Sequence, residues 1–327
     1  MSKIILTGGA GFIGSALLST LNQSGHSDII VVDNLSTSTK WQNLVGKKFS
    51  DYIHKDKFIE LVDDGKFKGE ISAIFHLGAC SATTEKDVDY LFRNNVNYSK
   101  SLAKLAISQN ARFVYASSAA TYGDGTNGYD DDLSRIPNLK PLNGYGYSKQ
   151  LFDLWIINNS LLDKVVGLKF FNVYGPNEDH KNEMRSVVHK AWKQVKENGI
   201  VKLFRSNDPK FKDGEQCRDF VYVKDCANVM NSLLSDQYSH VHGIFNLGSG
   251  IARSWNDLAT SVFKALGLSP KIEYIDMPGS LKGQYQNYTK AEMHRLINTG
   301  IASKFHSLEE GVRDYVVNHL EQGEKRL

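Results

Sequence analysis

The sequence contains little cysteine and no long uninterrupted apolar segment. Its three cysteines, Cys80, Cys217 and Cys226, form no CxxC pair, so neither a disulfide framework nor a cysteine zinc site is indicated. No apolar run approaches the ~20 residues that a membrane-spanning helix requires. The first residues do not have the layout of a signal peptide. We therefore expect a cytoplasmic protein that has no membrane partner and binds no metal.

An excess of charge of one sign is also missing. The 327 residues include 39 Lys and Arg against 36 Asp and Glu, a formal net charge of +3. Proteins that bind nucleic acid usually have basic residues clustered on one face, so we expect no nucleic-acid partner. Apolar residues make up 41% and charged residues 23%, the composition of an ordinary globular chain with a substantial core.

All six prolines lie after residue 136, and the preceding chain alternates short apolar runs with amphipathic stretches. We predict strands at Lys3–Thr7, Asp28–Asp33, Ala73–Leu77, Arg112–Ser117 and Val165–Phe171. We predict helices at Phe12–Leu21, Lys57–Val62, about Thr84 to Ser108, and Tyr145–Asn158. Repeated strand–helix–strand units predict an α/β fold with a Rossmann-type, doubly wound parallel sheet.

The regular alternation stops after Gly175-Pro176. Helices are predicted near Met184–Glu197, Lys224–Leu234, Ser254–Leu266 and Leu308–Leu320, with strands at Val201–Phe204, Asp219–Val223, Ile244–Leu247 and Lys271–Ile275. This pattern predicts a smaller, mixed α/β C-terminal part. We assign residues 1–172 and about 219–250 to a nucleotide-binding domain, and residues 173–218 and 251–327 to a substrate-binding domain.

Three glycines, Gly8, Gly11 and Gly14, lie between the first predicted strand and the first predicted helix. Glycine there allows a tight turn, close approach of the backbone to a pyrophosphate, and close packing of helix on strand. The N-terminus of the following helix presents N–H groups to the phosphates. Asp33 follows Gly14 by nineteen residues, at the end of the second predicted strand. The combination predicts a dinucleotide site rather than a turn without a ligand.

Two residues of this region bear on the choice of cofactor. Asp33 would ordinarily accept hydrogen bonds from the adenine ribose, which favours NAD. Lys40, in the loop that follows, could instead meet the 2′-phosphate of NADP, or could simply be a solvated loop lysine. These residues alone leave the choice open.

Tyr145 and Lys149 lie four residues apart at the start of a predicted helix and therefore share one of its faces. A neighbouring cation stabilises a phenolate and lowers the tyrosine pKa from its usual ~10. Ser118, just beyond a predicted strand, can hold a substrate oxygen. A packing tyrosine beside a surface lysine is the alternative, but the glycine loop upstream favours a catalytic set.

Several segments carry a resemblance to known proteins. TGGAGFIG, YASSAATYG, YGYSK and RDFVYVKD resemble the extended short-chain dehydrogenase/reductases. IFHLGACSATTE and FFNVYGPNEDHK are similar, more narrowly, to the family of ADP-L-glycero-D-manno-heptose 6-epimerases. Such segments occur in the family's order from residue 4 to about residue 286, across nearly the whole chain.

The resemblance implies an isomerase that inverts C6″ of an ADP-heptose by transient oxidation, in the supply of heptose for lipopolysaccharide. It implies that Tyr145 is one acid/base, that Lys149 tunes it, and that Ser118 belongs to the catalytic site. It also implies that Lys181 is a second acid/base; without the resemblance, Lys181 would be interpreted as a solvated loop charge. NADP is the implied cofactor, with NAD possible, and we expect a homo-oligomer.

The resemblance also implies binding residues. For the cofactor it adds, to Gly8, Gly11 and Gly14 of the glycine loop, the residues Phe12, Ile13, Asp33, Asn34, Lys40, Lys55, Leu77, Gly78, Ala79, Cys80, Ser81, Asn94, Tyr145, Lys149 and Val173. For the substrate they are Ser118, Asn172, Phe204, Arg218 and Tyr285. Arg218 suits the ADP diphosphate as a bidentate partner, although an ion pair with Asp219 is a competing interpretation.

The sequence departs from the family pattern at several positions. Asn182 and Glu183 stand where the family has small residues, Lys190 stands where it has histidine, and Arg205-Ser206-Asn207 replaces an acidic-Gly-Ser pattern. These departures bear on which sugar is bound. Another nucleotide-sugar epimerase, such as a UDP-hexose 4-epimerase, is one alternative. A non-enzymatic NADP-sensing protein is a second, which the presence of Ser118, Tyr145 and Lys149 disfavours. A 4,6-dehydratase is disfavoured because no carboxylate follows Ser118 directly.

Overall fold

A seven-stranded parallel sheet forms the centre of the computed structural model, which describes residues 2–67, 69–279, 285–301 and 304–327. Numbered along the chain, its strands are β1 (Lys3–Thr7), β2 (Ile29–Asp33), β3 (Asp51–His54), β4 (Ile71–His76), β5 (Arg112–Ser118), β6 (Val165–Phe170) and β10 (Gly243–Leu247). From edge to edge their order is β10-β6-β5-β4-β1-β2-β3. The order reverses at β1, and ligands of such sheets bind beyond the carboxyl ends of the strands at this point.

Helices cover both faces of this sheet. Side chains of a strand alternate between faces, so Ile4 and Leu6 enter one apolar core while Ile5 enters another. The helices of the described residues are α1 (Phe12–Gln23), α2 (Lys55–Asp63), α3 (Val88–Leu91), α4 (Tyr98–Ser108), α5 (Gly144–Asn158), α6 (Val187–Asn198), α7 (Val223–Ser232), α8 (Trp255–Ala265), α9 (His294–Asn298) and α10 (Leu308–Asn318). Of these, α6, α8 and α10 pack together in the smaller part of the chain. In the part of the chain that is described, no helix combines the length and apolar character needed to cross a membrane.

A smaller mixed part follows, as predicted. One sheet has the order β11-β9-β7, with β7 (Asn172–Tyr174), β9 (Cys217–Tyr222) and β11 (Ala252–Ser254). A second sheet pairs β8 (Val201–Phe204) with β12 (Ile272–Ile275). The segment 219–250 divides between the two parts, because β9 belongs to the small sheet and β10 to the large one.

The stretch predicted as one helix from about Thr84 to Ser108 differs from the prediction. It begins at Val88, where the Asp87 carboxylate accepts the Tyr90 backbone N–H at 2.8 Å, and a π-helical segment, Phe92–Asn97, interrupts it. The wider turn is not evident from the spacing of apolar residues. Strands β3, β7 and β11, of three or four residues each, were not predicted.

Candidate active site

The glycine loop leaves no room for side chains at two of its positions. A Cβ on Gly14 would lie 2.1 Å from the Gly8 carbonyl oxygen. Gly8 has φ +70°, and a Cβ there would lie 2.6 Å from the backbone nitrogen of Gly78. The loop therefore packs backbone to backbone against the segment after β4, and its surface presents N–H groups at the start of α1. This cradle fits the pyrophosphate of a dinucleotide.

Asp33, at the carboxyl end of β2, is surrounded by donors. Its carboxylate accepts the backbone N–H of Ala10 at 2.9 Å and of Asn34 at 2.7 Å, and the Lys40 ammonium lies 2.6 Å away. Lys40 is therefore held over the site and is not a solvated loop lysine. A ribose hydroxyl would share the Asp33 carboxylate with this ammonium.

A cleft of about 510 Å³ lies beside the glycine loop at the carboxyl edge of the sheet. Every residue predicted to bind the cofactor lines it, except Val173. Lys181 also lines the cleft and so lies in one site with Tyr145 and Lys149. Residues that sequence reasoning had not assigned to the site contribute as well: Thr7, Val32, Tyr90, Tyr98, Ala116, Ser117, Phe170, His180 and Met184.

Burial shapes the acid–base properties of Tyr145 and Lys149. The Lys149 ammonium donates to the Ala116 carbonyl at 2.8 Å, and loss of solvent lowers its pKa to about 8, against the opposing charge of Asp153. Loss of solvent raises the pKa of Tyr145, an effect that the Ser118 side chain partly offsets. At neutral pH the pair therefore consists of a neutral phenol and a lysine that is mostly charged.

Lys181 lies in the helical turn Asp179–Met184, which is kinked at Asn182 with φ 49°. Its ammonium lies 5.6 Å from the centre of the Phe12 ring. Burial lowers the pKa of Lys181, and the nearby Glu178 opposes that shift. The side chain therefore lines the cleft, and its lowered pKa eases the proton release that general acid–base catalysis requires.

Glu178 itself is fully buried beneath this turn. Its carboxylate accepts the backbone N–H of Ser186 at 2.5 Å and the Ser186 hydroxyl at 2.6 Å. Burial raises its pKa to about 6. Glu178 therefore links two elements, the turn that contains Lys181 and the start of α6.

The residues predicted to bind substrate lie outside the lining of this cleft. Arg218 is only 6% exposed, and its guanidinium carbon lies 5.0 Å from the Tyr285 ring centre and 5.5 Å from that of Trp255. Asp219 is not its partner, because that carboxylate accepts the N–H groups of Ser249, Gly250 and Ala291. Its Nη1 donates to the Cys217 carbonyl at 2.9 Å, and among the described residues it forms no ion pair with a carboxylate, so its positive charge is available for an anion.

Two groups of three metal-ligating side chains occur among the described residues: Asp130, Asp131 and His294, and Asp179, His189 and Glu324. Each has a carboxylate that faces an arginine. Arg295 lies 3.6 Å from Asp131, and Arg326 lies 2.5 Å from Asp179. An arginine cation at this distance competes with a metal ion for the carboxylate.

Asn43 was not predicted, although it lies at the centre of the polar contacts beneath the cleft. It is 2% exposed, and its amide donates to the carbonyls of Ala10 at 3.0 Å and Asn177 at 3.1 Å. An asparagine in a polar loop carries no sequence signal for a contact 134 residues away.

A family model described as the NAD dependent epimerase/dehydratase family matches residues 4–248. The chain belongs to this family. Among curated members, the ADP-L-glycero-D-manno-heptose-6-epimerase of Nitratidesulfovibrio vulgaris strain Hildenborough is 54% identical over 99% of both chains. The enzyme of that name from Fusobacterium nucleatum is 46% identical over 99% of this chain and 100% of its own. Within the epimerase/dehydratase family, the chain therefore groups with the ADP-L-glycero-D-manno-heptose-6-epimerases, as the sequence segments predicted.

Solved structures of epimerases agree with the fold. The Helicobacter pylori ADP-L-glycero-D-manno-heptose-6-epimerase superposes with a TM-score of 0.81 at 29% identity, covering 97% of this chain and 96% of that one. The Thermotoga maritima UDP-glucose 4-epimerase has a TM-score of 0.79 at 24% identity, covering 99% and 100%. The second likeness shows the shared fold alone.

Proposed function

We propose that the protein interconverts ADP-D-glycero-β-D-manno-heptose and its L-glycero epimer by inverting C6″. The observation that carries the proposal is the presence of Tyr145 and Lys181, two proton-transfer groups from distant elements, in the cleft beside the glycine loop. The names of relatives up to 54% identical over nearly the full chain support the sugar substrate.

The chemistry needs a redox cofactor, because the C6″ stereocentre carries no proton acidic enough for a base alone to remove. A nicotinamide cofactor held in the cleft lined by the glycine loop, Tyr145 and Lys149 would supply this chemistry: removal of hydride from C6″ and its return to the opposite face of the resulting ketone. Tyr145 would act as the phenolate, stabilised by the Lys149 cation, and would take the hydroxyl proton as hydride leaves on one face. Protonated Lys181 would give a proton to the ketone oxygen as hydride returns on the other face, and exchange with water would reset both groups; the reverse reaction exchanges the two roles. Each epimer thus has its own acid/base.

NADP is the cofactor that we propose, with NAD as the alternative. Lys40, which lies 2.6 Å from Asp33, and Lys55, which lies 2.8 Å from Asp56, both line the cleft and could pair with an adenosine 2′-phosphate. The proposal extends to a homo-oligomer that supplies heptose for lipopolysaccharide in the cytoplasm. The free thiols Cys80, Cys217 and Cys226 are compatible with a reducing compartment.

Both alternative functions make specific demands. A UDP-hexose 4-epimerase would turn the sugar ring within the site and would have no need of Lys181. A non-enzymatic NADP sensor would have no need of Ser118, Tyr145 and Lys149 as a set. The presence of Lys181 in the lining of the cleft favours the two-base epimerase over both.

The test is an NMR assay of purified protein with ADP-D-glycero-β-D-manno-heptose, run without cofactor and with NADP or NAD. We expect a mixture of the two C6″ epimers. Tyr145→Phe and Lys181→Met should each lower turnover by about 10³-fold, the scale of a lost acid/base, and should still bind NADP. The control is Tyr147→Phe, because Tyr147 lies on the same helix, is exposed, and does not line the cleft.

Turnover within a few-fold of wild type in Lys181→Met would contradict the two-base assignment. If the wild-type protein left the ADP-heptose unchanged with every cofactor but converted a UDP-hexose, the 4-epimerase would replace this proposal.

A further inference from the structure

The last residues of the chain are fixed against the active-site turns. Charged chain ends are usually mobile unless they are tied down. Here Gly323 at φ 73° and Glu324 at φ 58° reverse the chain, and the Lys325 backbone N–H donates to the His319 carbonyl at 2.9 Å. The Leu327 backbone N–H then donates to the Asn177 side chain at 2.9 Å. These contacts bring Arg326 to the junction beneath the cleft.

Arg326 bonds to two separate turns. Its Nε donates to Asn43 Oδ1 at 3.0 Å, and its Nη2 lies 2.7 Å from Gln42 Oε1 and 2.5 Å from Asp179 Oδ2. Gln42 and Asn43 belong to the helical turn Thr39–Leu44, which also carries Lys40. Asp179 begins the turn that carries Lys181. One guanidinium therefore joins the cofactor-binding turn to the turn of the second acid/base.

Asn43 extends this link to the glycine loop. The oxygen that accepts Arg326 Nε belongs to the same amide that donates to the carbonyls of Ala10 and Asn177. Arg326 thus fixes the orientation of the Asn43 side chain, and Asn43 fixes two backbone segments that border the cleft. A buried amide with all its bonds made holds one orientation, because any other leaves a polar atom unpaired.

We propose that Arg326 is a positioning residue that acts through Asn43 and Asp179, so that the cofactor-binding turn and Lys181 hold their places together. It does not line the cleft. Its planar fork supplies donors in two directions from one charge, which the point charge of a lysine does not reproduce. The part that concerns Lys181 rests on the proposed function; the part that concerns cofactor binding does not.

The test compares Arg326→Ala, Arg326→Lys, Asp179→Asn and the double variant Arg326→Ala/Asp179→Asn with wild type. Fluorescence titration gives the NADP dissociation constant, and the epimerase assay gives kcat and KM. We expect Arg326→Ala to raise the dissociation constant of NADP about 5-fold and to lower kcat about 10-fold. The KM for the sugar should be nearly unchanged, because a small misplacement of Lys181 affects the transition state most. Arg326→Lys should fall between Arg326→Ala and wild type.

The double variant separates positioning from general damage. If Arg326 and Asp179 act through one contact, the loss of kcat in the double variant should be no larger than in Arg326→Ala. Arg313→Ala is the control, since Arg313 is exposed on α10 in the same part of the chain. Its NADP affinity, kcat and unfolding temperature should match those of wild type.

Three outcomes would overturn the proposal: NADP affinity and kcat within twofold of wild type in Arg326→Ala, multiplicative losses of kcat in the double variant, or losses that follow the unfolding temperature alone. If the wild-type protein binds NADP but epimerises no ADP-heptose, the proposed function fails. Even then, the titration of Arg326→Ala with NADP tests the part of this inference that concerns cofactor binding.

Discussion

The proposed cofactor side, at the cleft, and the proposed substrate side, around Arg218, are built in different ways. Backbone makes much of the cofactor side: glycines that admit no Cβ, N–H groups at the start of α1, and the carboxyl ends of neighbouring strands. Side chains make the substrate side, where Arg218 from β9 is held between the rings of Trp255 and Tyr285. A backbone site depends on local sequence, whereas a site of stacked side chains depends on long-range packing.

The largest effect that follows from this difference is expected for Gly14→Ala. The new methyl group would lie 2.1 Å from the Gly8 carbonyl, so the loop must open. We expect NADP binding to weaken by more than about 100-fold and stability to fall by about 1–3 kcal/mol, the usual cost of overpacking. Fluorescence titration and urea unfolding measure the two effects.

Gly25→Ala is the matched control, at the other end of α1. Gly25 has φ 90° and no atom within 4 Å of an added Cβ, so the substitution strains the backbone without touching the loop. It should cost about 1 kcal/mol of stability and leave NADP affinity unchanged. If the two variants lost NADP affinity equally, the cofactor side would not depend on the close packing of the loop.

More residues of the cofactor side than of the substrate side could be predicted from local sequence patterns, because the cofactor side depends on local sequence. The glycine spacing, Asp33, and the Tyr145–Lys149 pair are local patterns, and all of these residues line the cleft. Lys181 came from the family resemblance, because an isolated lysine after a histidine has no pattern of its own. The roles of Asn43 and Arg326 could not be predicted, because they depend on contacts between distant parts of the chain. Asn43 contacts Asn177, 134 residues away, and Arg326 contacts Asn43, 283 residues away.

A second prediction concerns the substrate side alone. Arg218→Met keeps most of the side-chain volume between the two rings and removes the charge. A charge-assisted hydrogen bond to an anion contributes about 1.5–3 kcal/mol, so the KM for the ADP-sugar should rise by roughly 10–100-fold. NADP affinity should stay within twofold of wild type. Steady-state kinetics and the NADP titration give both quantities.

Arg253→Met is the control for Arg218→Met, because Arg253 on β11 lies opposite Arg218 on β9 in the antiparallel pairing of these strands. Its guanidinium bonds to Asp257 and Glu309, and it does not line the cofactor cleft. It should leave the KM near that of wild type. A lower NADP affinity in Arg218→Met would contradict the independence of substrate binding and cofactor binding.

The smallest effect is expected for Lys40→Ala, where the cofactor side does rely on a side chain. Lys40 offers a cation to the 2′-phosphate of NADP and at the same time occupies the Asp33 carboxylate at 2.6 Å. Its removal should lower the affinity for NADP about 10-fold, the scale of one partly exposed charge pair. The affinity for NAD should rise slightly, because Asp33 becomes free to bind the ribose.

Titration of both nucleotides with Lys40→Ala and with Lys57→Ala decides this last point. Lys57 is exposed on α2 and pairs only with Glu60 among the described residues, so its removal should change neither affinity. The loss of NADP affinity in Lys40→Ala should shrink as salt concentration rises, since screening weakens the same charge in wild type. Equal losses for NADP and NAD would instead assign Lys40 to the shape of its turn, and the choice of cofactor would then rest on other residues.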